Sequence, residues 1–189
     1  MSNIAMQGGA TGSGTVTLLA PVTNTNRTIN LPDSNGTVLT TATAGVPVNG
    51  PAVSAYKNSG SQSITSATFT KVTFDAELFD TNNCFASSTF TPTVAGYYQI
   101  NTGLSTSGVV AQTRVIITIY KNGSAVYSPV DLSITSFRYS GGALIYMNGS
   151  TDTIEIYAYV VATSPAIESG IASTGYHTWF QAAMVRSAT

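Results

Sequence analysis

Beyond residue 50, apolar and polar positions alternate with a period of two along most of the chain, and that spacing predicts β-strands. In VIITIYKNGSAVYS (115–128) a β-branched run ends at Asn122-Gly123, a dipeptide that accepts the two positive φ angles of a tight type I′ hairpin. Val115, Ile117 and Ile119 share one face while Ile116, Thr118 and Tyr120 share the other, so this strand is expected to be covered on both sides. GALIYMNGSTDTIEIYAYVVA (142–162) repeats the pattern around Asn148-Gly149 and predicts a second hairpin, with Leu144 and Tyr146 before the turn and Ile154, Ile156, Ala158 and Val160 after it. Opposite those four stand Glu155, Tyr157, Tyr159 and Val161, a mixed aromatic and polar surface of the kind enriched at interfaces. YHTWFQAAMVRS (176–187) reads as the closing strand. No 3.6-residue pattern appears past residue 50, and short strands with frequent turn signals predict an all-β sandwich or jelly roll.

FTPTVAGYYQINT (90–102) places two tyrosines at the mouth of a strand, with Gly96 letting the backbone turn before them. Alternation sends Tyr98, Ile100 and Leu104 to one face, expected to be core, and Tyr97, Gln99 and Asn101 to the other. Tyr97 and Gln99 therefore join Tyr157 and Tyr159 as candidate subunit-interface residues.

Residues 1–50 have a different pattern. They contain no Phe, Tyr or Trp, and their only charges are Arg27 and Asp33; all eighteen aromatics begin at Tyr56. Without aromatics the segment buries little area alone. GTVTLLA (14–20), RTINLP (27–32) and GTVLTT (36–41) are nonetheless short β-branched runs. Two readings follow: strands that pair with identical chains in a shaft or collar, burying Leu18, Ile29, Leu31 and Leu39, or a flexible tail. GGATGSGT (8–15) has no lysine after its glycines and so lacks the cation of a phosphate loop. The expected division is an extended fibre-like β segment over 1–41, a Pro/Gly linker over 42–50, and a head over 51–189.

Composition sharpens this picture. Charged residues are 8% of the 189, about a third of the usual share, with seven Lys+Arg against eight Asp+Glu. That balance argues against a nucleic-acid partner or a polybasic membrane anchor. No apolar run approaches the roughly 20 residues of a membrane span, and MSNIAMQGG has no basic region leading into an apolar stretch, so membrane insertion and a secretory signal are not expected. Glycosylation of the sequons beginning at Asn26, Asn35, Asn122 and Asn148 is accordingly not expected, and the last two are read as the Asn-Gly hairpins. Cys84 is alone, which excludes an internal disulfide, and in TNNCFASST it reads as a small side chain in a polar connection. Asp75, Glu77 and Asp80 could gather around calcium, but their spacing fits turn capping better than a calcium loop. The one histidine, His177, stands beside Tyr176 and near Trp179, with no motif of nucleophile, base and orienting group around it. No enzyme activity, cofactor or metal is expected.

The order of motifs resembles the globular heads of the complement C1q and tumour necrosis factor-like superfamily over roughly residues 51–187. PAVSAY (51–56) is similar to the family's opening strand, with Val53 in place of its usual aromatic. Phe74-Asp75, Asp80, and Phe90 leading to Gly96-Tyr97-Tyr98 resemble its central block. TIYKNG (118–123) and SGGALIYMNGSTDTIEI (140–156) resemble its later strands, whereas GYHTWFQAAMV departs from the family's closing Phe-Ser-Gly-Phe. This resemblance implies a ten-stranded jelly-roll sandwich that assembles as a homotrimer. GTVTLLAPVTNTNRTINLPDSNGTVLTT (14–41) in turn resembles short segments of bacteriophage tail fibres and other appendages. The collagen-like repeats of cellular relatives' stalks are missing.

Together these resemblances imply a virion appendage assembled in the host cytoplasm. Two functions are expected from them: a tail-fibre or receptor-binding protein whose head contacts the host surface, or a capsid decoration or head-fibre protein gripping other virion proteins through residues 1–50. Glycan-binding heads use exposed aromatics with polar neighbours, and the loop candidates here are Tyr127, Phe137, Arg138, Tyr139, Tyr176 and His177.

Overall fold

The computed structural model describes residues 50–107, 110–133, 137–169 and 175–188. The expected fibre-like segment 1–41 and the linker up to residue 49 lie outside the described residues. Every regular element described is a strand. They run β1 (Ala52–Tyr56), β2 (Gln62–Ser63), β3 (Thr70–Lys71), β4 (Ala76–Asp80), β5 (Phe85–Ala86), β6 (Thr89–Phe90), β7 (Gly96–Ser107), β8 (Val110–Lys121), β9 (Ser124–Leu132), β10 (Arg138–Met147), β11 (Ile154–Thr163), β12 (Ala166–Ile167) and β13 (Trp179–Ser187). Five of these are two-residue pieces, because left-handed residues such as Ala67, Ser87 and Ser88 break the chain around them.

All ladders are antiparallel. Sheet one carries β10, β7, β13, β1 and β4 side by side, with β12 and β2 continuing from β7. Sheet two carries β5, β6, β11, β8 and β9, with β3 on β11. Lettered in chain order, the eight strands β1, β6, β7, β8, β9, β10, β11 and β13 fall as A-H-C-F and B-G-D-E, the strand order of a jelly roll. The fold is thus an all-β jelly-roll sandwich.

The core between the sheets is built by alternation. Val53 and Ala55 of β1, Tyr98, Ile100 and Leu104 of β7, Val115, Ile117 and Ile119 of β8, Ile154, Ile156, Ala158 and Val160 of β11 and Phe180 and Ala182 of β13 all point inward and are buried. Phe90 meets Tyr98 edge-on at 5.5 Å, and Phe85 stacks on Phe180 at 5.2 Å. Burial lifts the Tyr98 phenol to about 12; its hydroxyl still donates to the Val94 carbonyl at 2.6 Å. The opening tyrosines divide as alternation predicts, Tyr98 inward and Tyr97 outward.

Of the two expected Asn-Gly hairpins one holds and one needs correction. Asn122-Gly123 is the tight β8–β9 turn, with both residues at positive φ. Asn148-Gly149 is not a hairpin: β10 belongs to sheet one and β11 to sheet two, so the dipeptide turns a corner between the sheets. There the Asn148 Oδ1 accepts the backbone N–H groups of Ser150, Thr151 and Asp152, each at 3.0 Å. Cys84 lies in the connection between β4 and β5 as expected, but its side chain is buried at the core edge, its thiol raised to about 12 by burial and by the Asp80 carboxylate, so it is a poor nucleophile.

Two of the acidic trio are caps, and the third, Glu77, is exposed on β4. Asp75 Oδ1 and Oδ2 accept the backbone N–H groups of Asn58 and Ser59 at 2.5 and 3.1 Å, while Asp80 Oδ2 accepts that of Phe85 at 2.8 Å. Burial works against ionisation of both carboxyls, but these hydrogen bonds outweigh it and hold them below the usual range. Among the described residues no group of three His, Cys, Asp or Glu is placed to hold a metal ion.

Candidate functional site

The two sheets differ in what they show on their outer faces. On sheet two, Tyr120 stacks on Tyr157 at 3.9 Å and Phe69 lies against Tyr159 at 5.1 Å, which covers Ile116 and Thr118 beneath. This layer is flanked by two ion pairs, Lys71–Glu155 at 2.6 Å and Arg114–Asp131 at 2.8 Å. Tyr157 and Tyr159 are thereby half-buried within their own subunit.

Sheet one carries its charged residues at strand ends and on the edge strand, Arg138 on β10, Arg186 on β13 and Glu77 and Asp80 on β4, and the rows between them are uncharged. Its register sets outward residues in rows across β1, β13, β7 and β10: Tyr56, Trp179, Gly103, Ser140; then Ser54, Gln181, Asn101, Gly142; then Ala52, Ala183, Gln99, Leu144. At the far end a bulge after Met184 brings Arg186 opposite Tyr97, which packs against Tyr146 at 5.4 Å. Tyr97, Leu144, Tyr146 and Val185 are 42%, 51%, 44% and 57% exposed, values that mark a concentrated apolar area rather than scattered surface residues. The four interface candidates therefore lie on opposite faces of the sandwich, Tyr97 and Gln99 on sheet one, Tyr157 and Tyr159 on sheet two.

At the other end of sheet one is a depression of about 290 Å³ lined by Arg138, Tyr139, Ser140, Tyr176, His177 and Trp179. It brings together four of the six loop candidates. Phe137 is exposed next to it in sequence but does not line it, and Tyr127 is exposed on β9 of sheet two. Trp179 and Ser140, which sequence reasoning did not select, belong to it. The buried Thr178 anchors this end: its hydroxyl donates to the Glu168 carbonyl at 2.6 Å and accepts from the Ser105 N–H at 3.1 Å, and its carbonyl accepts from the Lys57 N–H at 2.9 Å. That clamp fixes Tyr176 and His177 at the mouth of β13. Tyr176 lies on Tyr56 at a centroid distance of 3.9 Å, and the neighbouring hollow between Tyr56, Leu78, Tyr176, Trp179 and Gln181 extends the aromatic surface. On β10, the Tyr139 hydroxyl accepts a hydrogen bond from the Gln112 amide, which holds the strand behind Arg138 and Ser140.

Trp179 is laid across Gly103, where an added Cβ would come within 2.2 Å of Nε1. Gly103→Ala is accordingly expected to push the indole off the sheet. Since this is the chain's one tryptophan, intrinsic emission reports the displacement directly, as a shift in its maximum together with roughly 1–3 kcal/mol of lost stability. Unchanged emission in the variant contradicts this packing.

No family model matches the sequence, and no curated protein matches it. Among solved structures, that of murine APRIL at pH 8.5 is similar over 72% of this chain and 100% of that chain, at 9% identity and a TM-score of 0.49. Murine APRIL at pH 5.0 gives the same coverage at 10% identity and a TM-score of 0.48. Rabbit GITRL is similar over 57% of this chain and 78% of that chain, at 13% identity and a TM-score of 0.39.

Proposed function

We propose that the chain is a homotrimeric, non-catalytic head of a bacteriophage appendage, a tail-fibre or receptor-binding protein whose subunits associate through the rows of sheet one from Asn101 to Tyr97 and whose other end, around Trp179, stays free to contact the host cell surface. The observation that carries the assembly is the contrast between the two outer faces. Ion pairs and half-buried tyrosines give sheet two a finished, solvated surface. The middle rows of sheet one instead present small, uncharged side chains, with Tyr97, Leu144, Tyr146 and Val185 beside Arg186 at one end, the composition of an interface whose charge is confined to its rim. Tyr97 and Gln99 lie in this seam; Tyr157 and Tyr159 then serve their own subunit. The appendage reading is supported by the likeness of residues 14–41 to tail-fibre segments.

Sedimentation equilibrium over a wide concentration range tests the assembly: a trimer mass is expected, and a concentration-independent monomer overturns it. Antibody labelling of purified particles tests the location. Labelled tails are expected, and labelled capsids replace the receptor reading with capsid decoration.

A further inference from the structure

We infer that the depression formed by Arg138, Ser140, Tyr176, His177 and Trp179 binds a carboxylate-bearing sugar ring. The inference deepens the receptor-binding reading and rests on it for the surface presented. Its first support is position. The chain enters the sandwich at Ala52 and leaves at Ser187, and these lie at the same end, since Ala52 pairs with Ala183 and Ser187 with Gly96. The depression is at the opposite end, where Trp179 pairs with Gly103, seven residues and so roughly 23 Å along β7. A head joined to its particle through the residues before Ala52 presents this end outward.

The second support is chemistry. Trp179 and Tyr176, the latter continued by Tyr56, supply aromatic surface against which the apolar face of a pyranose can lie. Arg138 is exposed on the rim, and its five N–H donors allow it to serve a ligand carboxylate besides its contacts within the protein. The Ser140 hydroxyl and the His177 ring add hydrogen-bonding groups for sugar hydroxyls. None of the six lining residues is acidic. A volume of about 290 Å³ is at the small end of ligand sites, suited to one ring rather than a long chain. With one arginine, the site matches a single carboxylate rather than a polyphosphate.

The sole tryptophan makes the test direct. The full-length protein is titrated with trigalacturonate, with neutral maltotriose, and with acetate, following Trp179 emission. A saturable change with trigalacturonate is expected, at least tenfold tighter than with maltotriose and absent with acetate. Arg138→Ala and Arg138→Gln are expected to weaken trigalacturonate roughly tenfold to hundredfold, and Tyr176→Ala to weaken both saccharides. Both side chains are exposed, so melting and sedimentation of the variants should match the parent protein. No saturable change, equal affinity for the acidic and neutral trisaccharides, or full binding by both Arg138 variants overturns the inference. These outcomes are separable from failure of the appendage reading, which particle labelling decides without any sugar.

Discussion

Gly149→Ala is expected to lower stability by about 3 kcal/mol or more, with a fall in Tm of roughly 10 °C. Two penalties coincide at this position. Gly149 has φ +73°, a left-handed conformation that costs an L-residue with a Cβ about 1–2 kcal/mol. An added Cβ would also sit 2.2 Å from the Ala95 nitrogen and 2.4 Å from the Val94 carbonyl carbon, and neither backbone atom can rotate aside. Those two residues lead into Gly96 and β7, so any relief must shift the strand on which Tyr97 and Tyr98 are mounted. Gly123 provides the control. It has φ +75° but no heavy atom within 4 Å of an added Cβ, so Gly123→Ala should show the conformational penalty alone, about 1–2 kcal/mol. Chemical denaturation of both variants separates the terms. Equal losses at the two glycines would mean that the Val94–Ala95 contact is relieved without cost.

The same pair of glycines marks the boundary of what the sequence made legible. Asn122-Gly123 and Asn148-Gly149 are the same dipeptide before a β-branched strand, and local chemistry correctly demands a turn at each. Which sheet the next strand joins is decided elsewhere, by β7, whose edges are taken by β10 on one side and β13 on the other. Strand faces were readable because they depend only on parity; Tyr98, Ile100 and Leu104 entered the core as their spacing requires. The interface candidates followed the same parity, but parity cannot say on which sheet an outward tyrosine stands. Tyr97 and Tyr157 are therefore indistinguishable in sequence and on opposite faces in space.

The candidate site was half visible for a similar reason. Arg138 and His177 are 39 positions apart and meet because β10 and β13 both flank β7. Trp179 escaped selection because an aromatic in a closing strand reads as core. Its parity with Gln181 and opposition to Phe180 was the available signal, since both neighbours cannot face inward. Tyr127 had the composition of a binding residue but sits on β9, which the Asn122-Gly123 hairpin pairs with β8 and so places on the far sheet.

Asp152→Asn is expected to cost about 2–3 kcal/mol and to remove part of the protein's acid sensitivity. The Asp152 side chain is 11% exposed and joins the β8–β9 hairpin to the corner between the sheets. Oδ2 accepts from Lys121 Nζ at 2.8 Å and from the Asn148 N–H at 2.9 Å, and Oδ1 accepts from Asn122 Nδ2 at 2.8 Å. All three partners are donors, so an amide placed there must turn its own N–H₂ toward one of them. The substitution also leaves Lys121, whose ammonium otherwise reaches the Tyr146 carbonyl at 2.8 Å and lies 5.9 Å from the centre of the Tyr146 ring, without its counter-ion. Burial pushes the Asp152 carboxyl upward, but the hydrogen bonds from Asn122, Lys121 and Asn148 and the Lys121 charge outweigh it, and the net shift is downward. A carboxyl lower in the folded than in the unfolded state contributes stability that is complete above its unfolded value near 3.9 and is lost as pH falls through the folded value. Asp75, Asp80, Asp131 and Glu155 are shifted in the same direction, so the parent protein should lose stability steadily below about pH 4. Urea denaturation at pH 7 and in steps from pH 5 to 2 should show Asp152→Asn weaker than the parent at neutral pH and converging on it in acid. Parallel curves across that range would show that Asp152 does not titrate with folding and that its hydrogen bonds act without its charge.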